Sequence, residues 1–269
     1  MVQVRQTGFC GASENKKLNR YPHTHLQISR SATNTDVASY FDYQSALALR
    51  KMALVQGCGM PKYLLAPEVA ILLSYLPDLR QRTFIELLWN TGARVAEAMP
   101  LRPVDFNLAG DQPFVVLRTL KQQQRGRGRP RKDENLHRIV PLLDPGFVRR
   151  LHEYFETFRL YRKSATPIWQ ISSSQTPRNW LAAAVERAKR DNVTFSFEPI
   201  TTKVFRHSFA MHLLQHHVPP KVLQAYLGHT ELKSTEIYTK VFALDVGRQY
   251  GVTFSMPVEE ALSCLPQRE

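Results

Sequence analysis

The chain has 269 residues, 43% of them hydrophobic and 22% charged, which suits a folded domain with a proper core and sets it apart from disordered or fibrous chains. Its 36 Lys+Arg against 23 Asp+Glu leave a formal net charge of +13. A surface this positive attracts polyanions, and nucleic acid is the polyanion whose phosphate spacing rewards a whole basic face; the plain alternative is a basic enzyme with no polymer partner. Cys10, Cys58 and Cys264 lie far apart and form no CxxC pair, so neither a disulfide framework nor a zinc site is expected. No run approaches the ~20 apolar residues of a membrane span. The N-terminus MVQVRQTGFCGASENKK lacks a signal-peptide core, so a cytoplasmic location is expected.

Residues 1–35 are polar and irregular, and are expected to be poorly ordered. From Asp36 an apolar face through Val37, Phe41, Ala48, Met52 and Val55 predicts a helix that Gly57 can stop. Pro67 and Glu68 open a second helix over 67–82, and TFIELLWN (83–90) forms a third, broken at Thr91-Gly92. RVAEAM continues as a helix up to Pro100. FVVLRTLK (114–121) is rich in β-branched residues and reads as a strand, with HRIVPLL (137–143) as its partner. Residues 122–136 make a hairpin connection much longer than the usual ~2–5 residues, which calls for a functional explanation. Amphipathic helices follow over 147–160 and 178–190. Thr202 can cap a helix through KVFRHSFAMHLLQHH, and Pro219-Pro220 open another that Gly228 stops. A short helix around STEIYTKV precedes a tail ending in PVEEALSCL. The fold class is therefore mainly α with a small antiparallel β-sheet or hairpin.

Three separated stretches carry chemistry. In NTGARVAEAMPLRPVDF (90–106), Gly92 ends one helix, so Arg94 starts the next and shares a face with Glu97 three residues on. The plain alternative is a surface ion pair of little worth. In TTKVFRHSFAMHLL (201–214), Arg206 lies at the edge of an apolar stripe, so it is expected to be partly buried and to need an anionic partner. The alternative there is a structural salt bridge. His212 and His216 have i,i+4 spacing but lack the carboxylate of an HExxH site, so no metal is expected. In YLGHTELKSTEIYTKV (226–241), His229 follows a helix stop and Tyr238 lies nine residues later. A lone tyrosine beside Ile237, Val241 and Phe242 would ordinarily be core.

Together, TGxR…E, RHSFA.HLL, and LGH followed by a tyrosine in an IYT context resemble the motif set of the tyrosine recombinases, or phage-integrase family. The resemblance covers about residues 62–242, in the family's order. Size and pattern also resemble the bacterial and plasmid resolvases of this family, including the F-plasmid type. It implies a tyrosine recombinase catalytic domain over 61–244, a short N-terminal region 1–60 with one helix, and a tail 245–269 exchanged between subunits or packed on its own core. It also implies the site residues. Arg94 and Arg206 match the two catalytic arginines, Tyr238 the nucleophile, His229 the histidine after LG, Lys121 the hairpin lysine, and Glu97 the acidic residue that supports an arginine. Lys203 departs from the pattern by standing where the family usually has histidine.

The implied reaction is attack of tyrosine on a DNA phosphodiester. It gives a 3′-phosphotyrosyl bond and a 5′-hydroxyl, and a second DNA end then attacks the same phosphorus. Two arginines grip the phosphate oxygens and take the place of a metal, so neither cofactor nor ATP is implied. Lys121 is the candidate general acid for the leaving oxygen. A lysine ammonium only donates, so Lys203 is expected to stabilise phosphate charge rather than act as base. The open alternative is that Lys203 points away and His207 substitutes. The implied partners are double-stranded DNA at a specific recombination site, a homotetramer on that DNA, and accessory DNA-binding proteins; the outcome is multimer resolution or integration and excision. A non-catalytic DNA-binding regulator that kept the fold, and a type IB topoisomerase or telomere-resolving enzyme, are the competing readings.

RGRGRPRK (125–132) crowns the long hairpin. Its RGRP core resembles an AT-hook, in which extended arginines enter a narrow minor groove. Arg125, Arg127, Arg129, Arg131 and Lys132 are thus candidate DNA-binding residues that compensate for the short N-terminal region. The alternative is a loop that meets phosphates without sequence preference.

Overall fold

The computed structural model describes residues 43–55, 61–118, 137–162, 165–229, 233–243 and 257. They belong to one compact unit, Ser39–Glu269. Helices α1 (Tyr43–Val55), α2 (Ala66–Ser74), α3 (Leu79–Thr91) and α4 (Val95–Ala98) precede three short strands, β1 (Phe106–Asn107), β2 (Phe114–Arg118) and β3 (His137–Pro141). Helices α5 (Pro145–Thr157), α6 (Gln175–Arg190), α7 (Thr202–Gln215), α8 (Pro220–Leu227) and α9 (Lys233–Ala243) follow. The architecture is mainly helical with a small antiparallel sheet, as the sequence predicts. Among the described residues no helix is long and apolar enough to cross a membrane.

Two helices form the centre. In α3, Phe84, Ile85, Leu87 and Leu88 are fully buried, and Thr83, Glu86 and Thr91 are buried with them. A helix enclosed on nearly every side belongs to the interior. Helix α7 is its counterpart, with Val204, Phe205, Phe209, Ala210, Leu213 and Leu214 in the same core. The two pack on each other, and α2, α5, α6, α8 and α9 surround them. Buried Glu86 on α3 is held by Arg150 of α5, whose Nε donates at 3.0 Å. Phe84 meets Trp169 edge-on at 5.3 Å between ring centroids.

The predicted helix over 67–82 runs too far. Pro77 interrupts it, and Asp78 starts α3 by accepting from the Gln81 N–H at 2.9 Å. The N-cap of α7 is Thr201 rather than Thr202. Helix α1 is joined to α2 by a buried ion pair, in which Arg50 Nη1 donates to Glu68 Oε2 at 2.8 Å. Ser196 bonds both Arg50 and Glu68, and α1 also packs on α9.

In the sheet, β2 pairs with β3 from Phe114↔Pro141 to Arg118↔His137, and β1 adds a third strand through Phe106↔Val115. Side chains alternate across a strand. Val115 and Leu117 of β2 therefore face inward with Arg138 and Val140 of β3, while Ile139 faces out. Arg138 lies opposite Leu117, so a guanidinium enters the structure from the sheet's buried face.

Candidate active site

The site gathers where α3, α7 and α8 end or begin near each other. Helix α3 stops at Gly92, whose left-handed φ of 60° closes the helix. The chain then turns at Arg94, the N-cap of α4. The Arg94 N–H donates to Glu97 Oε2 at 2.8 Å and its Nη1 donates to Glu97 Oε1 at 2.9 Å. One carboxylate thus caps the short helix and orients the arginine side chain, which stays 47% exposed.

Glu97 is not part of a surface pair. It is 2% exposed, and Arg138 of β3 grips it with both prongs, at 2.9 Å to Oε1 and 2.6 Å to Oε2. Arg138 Nε also donates to the Tyr226 carbonyl of α8 at 2.8 Å. Burial pushes the Glu97 carboxyl up, but the Arg138 hydrogen bonds and charge, the Arg94 N–H and the Arg94 charge outweigh it, leaving the group below its ordinary value.

Arg206 is 7% exposed, buried more deeply than its place at the edge of the apolar stripe predicts, and among the described residues its hydrogen-bond acceptors are not carboxylates. Nη1 donates to the Gly92 carbonyl at 2.7 Å and Nη2 to the Leu227 carbonyl at 2.6 Å. These carbonyls lie at the C-terminal ends of α3 and α8, where the helix dipole is negative. Two helix ends therefore hold a buried cation without neutralising it. Burial and the charges of Arg94 and Arg138 lower Arg206 to about 10. Among the described residues three guanidiniums share this region with the carboxylate of Glu97, which leaves an excess positive charge for an anion.

Helix α8 ends at Gly228, also left-handed with φ 63°, and His229 follows. The Gln224 side chain donates to the His229 carbonyl at 3.1 Å and fixes this turn. His229 Nδ1 is 2.9 Å from the hydroxyl of fully buried Thr235 on α9. That contact leaves Nε2 as the ring nitrogen directed elsewhere. Burial, then Arg206, Arg94 and Arg138, lower His229 to about 4, so the ring is neutral at pH 7.

Tyr238 lies one helical turn beyond Thr235 and is 3% exposed. Its hydroxyl is 2.8 Å from His207 Nδ1 on α7. Burial raises the phenol above its ordinary value against the pull of Arg206 and Arg94, so it keeps its proton at neutral pH. Burial, Lys203 and Arg206 lower His207 to about 4, so that ring is neutral as well. Lys203, one turn earlier on α7, is exposed.

The structure thus draws Arg94, Glu97, Arg206, His229 and Tyr238 into one electrostatic neighbourhood, although they are spread over 145 positions. Lys121 and the basic residues Arg125, Arg127, Arg129, Arg131 and Lys132 lie outside the described residues, as do nearly all of the predicted tail and residues 1–42. Sequence reasoning missed Arg138 and Thr235. Arg138 had a readable signal, since a charged residue two positions from Val140 shares the inward face of its strand. Thr235 had none beyond its i,i+3 relation to Tyr238.

Residues 62–244 match the model of the phage integrase family. A protein of Escherichia coli named resolvase is 45% identical over 256 residues, which cover 90% of this chain and 96% of that one. A probable site-specific recombinase in the afa region of E. coli is 44% identical over 229 residues, covering 85% and 90%. Among solved structures, the fold is shared with XerA recombinase at a TM-score of 0.53 and 22% identity, over 72% of this chain and 65% of that one. The chain belongs to the phage integrase family, the tyrosine recombinases.

Proposed function

We propose that the protein is a site-specific DNA recombinase that cleaves and rejoins double-stranded DNA through a 3′-phosphotyrosine at Tyr238. The observation that carries this reading is the treatment of Arg206. A buried guanidinium held by two helix-end carbonyls, beside Arg94, Arg138 and, among the described residues, the single carboxylate of Glu97, retains the charge to grip a phosphodiester. Arg94 and Arg206 bind the non-bridging oxygens, and His229 Nε2 adds a third donor. Such donors, fixed before charge develops, each supply a few kcal/mol of transition-state stabilisation. Glu97 orients Arg94, Lys121 protonates the leaving 5′-oxygen, and Lys203 contributes charge near the phosphate.

Residues 61–244 form the catalytic domain in this reading. The basic run Arg125–Lys132 tracks DNA beside the cleaved bond, and the tail after 244 links subunits of a homotetramer, with accessory DNA-binding proteins. The relatives named resolvase and probable site-specific recombinase favour a resolution reaction, for which replicon multimers in the bacterial cytoplasm are the proposed substrate and setting. A non-catalytic regulator would have no use for a phenol hydrogen-bonded to a neutral imidazole beside an anion site.

The test is incubation with a nicked suicide substrate carrying the protein's own recombination site. Wild type accumulates a covalent adduct that Tyr238→Phe lacks. No wild-type adduct on that site contradicts the proposal.

A further inference from the structure

We propose that His207 is a catalytic residue, the general base that takes the proton from Tyr238 during cleavage and returns it during rejoining. This rests on the recombinase reading above and goes beyond it, since that reading leaves the tyrosine without a base.

The geometry is direct. His207 Nδ1 is 2.8 Å from Tyr238 Oη, within reach for proton transfer without rearrangement. The phenol is the better acid of the two, so the hydroxyl donates and Nδ1 accepts, with the imidazole proton on Nε2. Among the described residues, the charged groups that act on the hydroxyl are Arg206 and Arg94, guanidiniums with no lone pair to offer. Lys203 stands where the resemblance predicts histidine, but its exposed ammonium is a donor only. His207 follows it by four residues on α7 and supplies the missing imidazole from the next turn of the same helix.

The step balances. As the Tyr238 Oη–P bond forms, the hydroxyl proton passes to His207 Nδ1. The P–O5′ bond breaks, and the leaving oxygen takes a proton from the general acid assigned to Lys121. In rejoining, the incoming 5′-hydroxyl gives its proton to the Lys121 amine, and His207 Nδ1–H protonates the departing Tyr238 oxygen. Burial, Lys203 and Arg206 keep the free imidazole unprotonated. An incoming phosphate offsets the cationic part of that field, which raises the basicity of Nδ1 when the substrate arrives.

The experiment is single-turnover cleavage of the recombination site by the full-length protein, on ordinary DNA and on DNA whose scissile 5′-bridging oxygen is replaced by sulfur. A thiolate leaves without a general acid, so the sulfur substrate removes the need for Lys121 but not for a base on Tyr238. His207→Asn places an amide oxygen near the Nδ1 position and accepts the hydrogen bond without taking the proton. The expected loss is roughly 100-fold or more on both substrates, with DNA affinity unchanged. Lys121→Ala is rescued by sulfur and His207→Asn is not. Exogenous imidazole restores cleavage by His207→Ala, which separates a proton defect from a folding defect. Wild-type rates in His207→Asn, or its full rescue by sulfur, overturn the assignment while leaving the recombinase reading intact. No adduct with wild type on either substrate removes the recombinase reading itself, and the base with it.

Discussion

Arg138 on β3 and Glu97 on α4 form a two-pronged buried ion pair, closed at 2.9 and 2.6 Å, that ties the sheet to the turn carrying Arg94. Removing Arg138 leaves buried Glu97 with only the half-exposed Arg94, and removing Glu97 leaves the buried Arg138 guanidinium without its carboxylate. Arg138→Ala is expected to cost about 3–5 kcal/mol of stability, and Arg138→Ala with Glu97→Ala less than the sum of the two single changes. Urea unfolding of the three variants checks this. Additive effects would mean that the pair does not act as a unit.

Gly92 is predicted to tolerate no side chain. Its φ is +60°, and an added Cβ would lie 2.5 Å from Phe209 Cδ1 and 3.0 Å from Leu227 Cδ2. Its carbonyl also holds Arg206. Gly92→Ala should therefore destabilise by more than about 1 kcal/mol and slow cleavage under conditions where the variant is fully folded. Unfolding midpoints alongside single-turnover rates separate the two effects. Full activity in the folded variant would show that the Gly92 carbonyl does not set the arginine.

Thr235 is predicted to position His229. Thr235→Val keeps the shape and removes the hydroxyl 2.9 Å from His229 Nδ1. The stability cost is about 1 kcal/mol. Cleavage should fall by more than that loss explains and recover in Thr235→Ser. A rate unchanged in Thr235→Val would separate the threonine from the site.

Stability should fall with acid before the carboxylates titrate. Burial, aided by neighbouring cations, lowers His207 and His229 to about 4, and burial with His216 does the same for His212. The ordinary value is about 6.5. Between these values the unfolded chain binds protons that the folded chain refuses, so stability rises with pH there. The contribution is complete above about 6.5 and is lost as pH falls through about 4. Thermal midpoints should drop across that window and stay level just above it. A flat profile would mean that these rings protonate freely in the folded state.

Much of the architecture was written locally. Gly92, Pro219-Pro220 and Gly228 each mark a helix end by backbone chemistry alone, and the loops they create carry Arg94 and His229. The break at Pro77-Asp78 was just as local but was overrun by an apolar pattern that continued through it. Strand β1 has two residues, too few for any period, and exists because β2 offers an edge to pair with. Within the site, residue types were legible and pairings were not. Arg206 read as a buried cation in want of an anion, yet its acceptors are main-chain carbonyls 114 and 21 positions away. The contact between His207 and Tyr238 spans 31 positions and follows from the packing of α9 on α7.

The most direct test of the central claim is the identity and polarity of the covalent bond. The adduct trapped on nicked recombination-site DNA is digested with protease and nuclease and sequenced by mass spectrometry. The account predicts a nucleotide 3′-phosphate on the Tyr238 peptide and a 5′-hydroxyl on the released strand. Attachment at another residue, or through a 5′-phosphate, would contradict it.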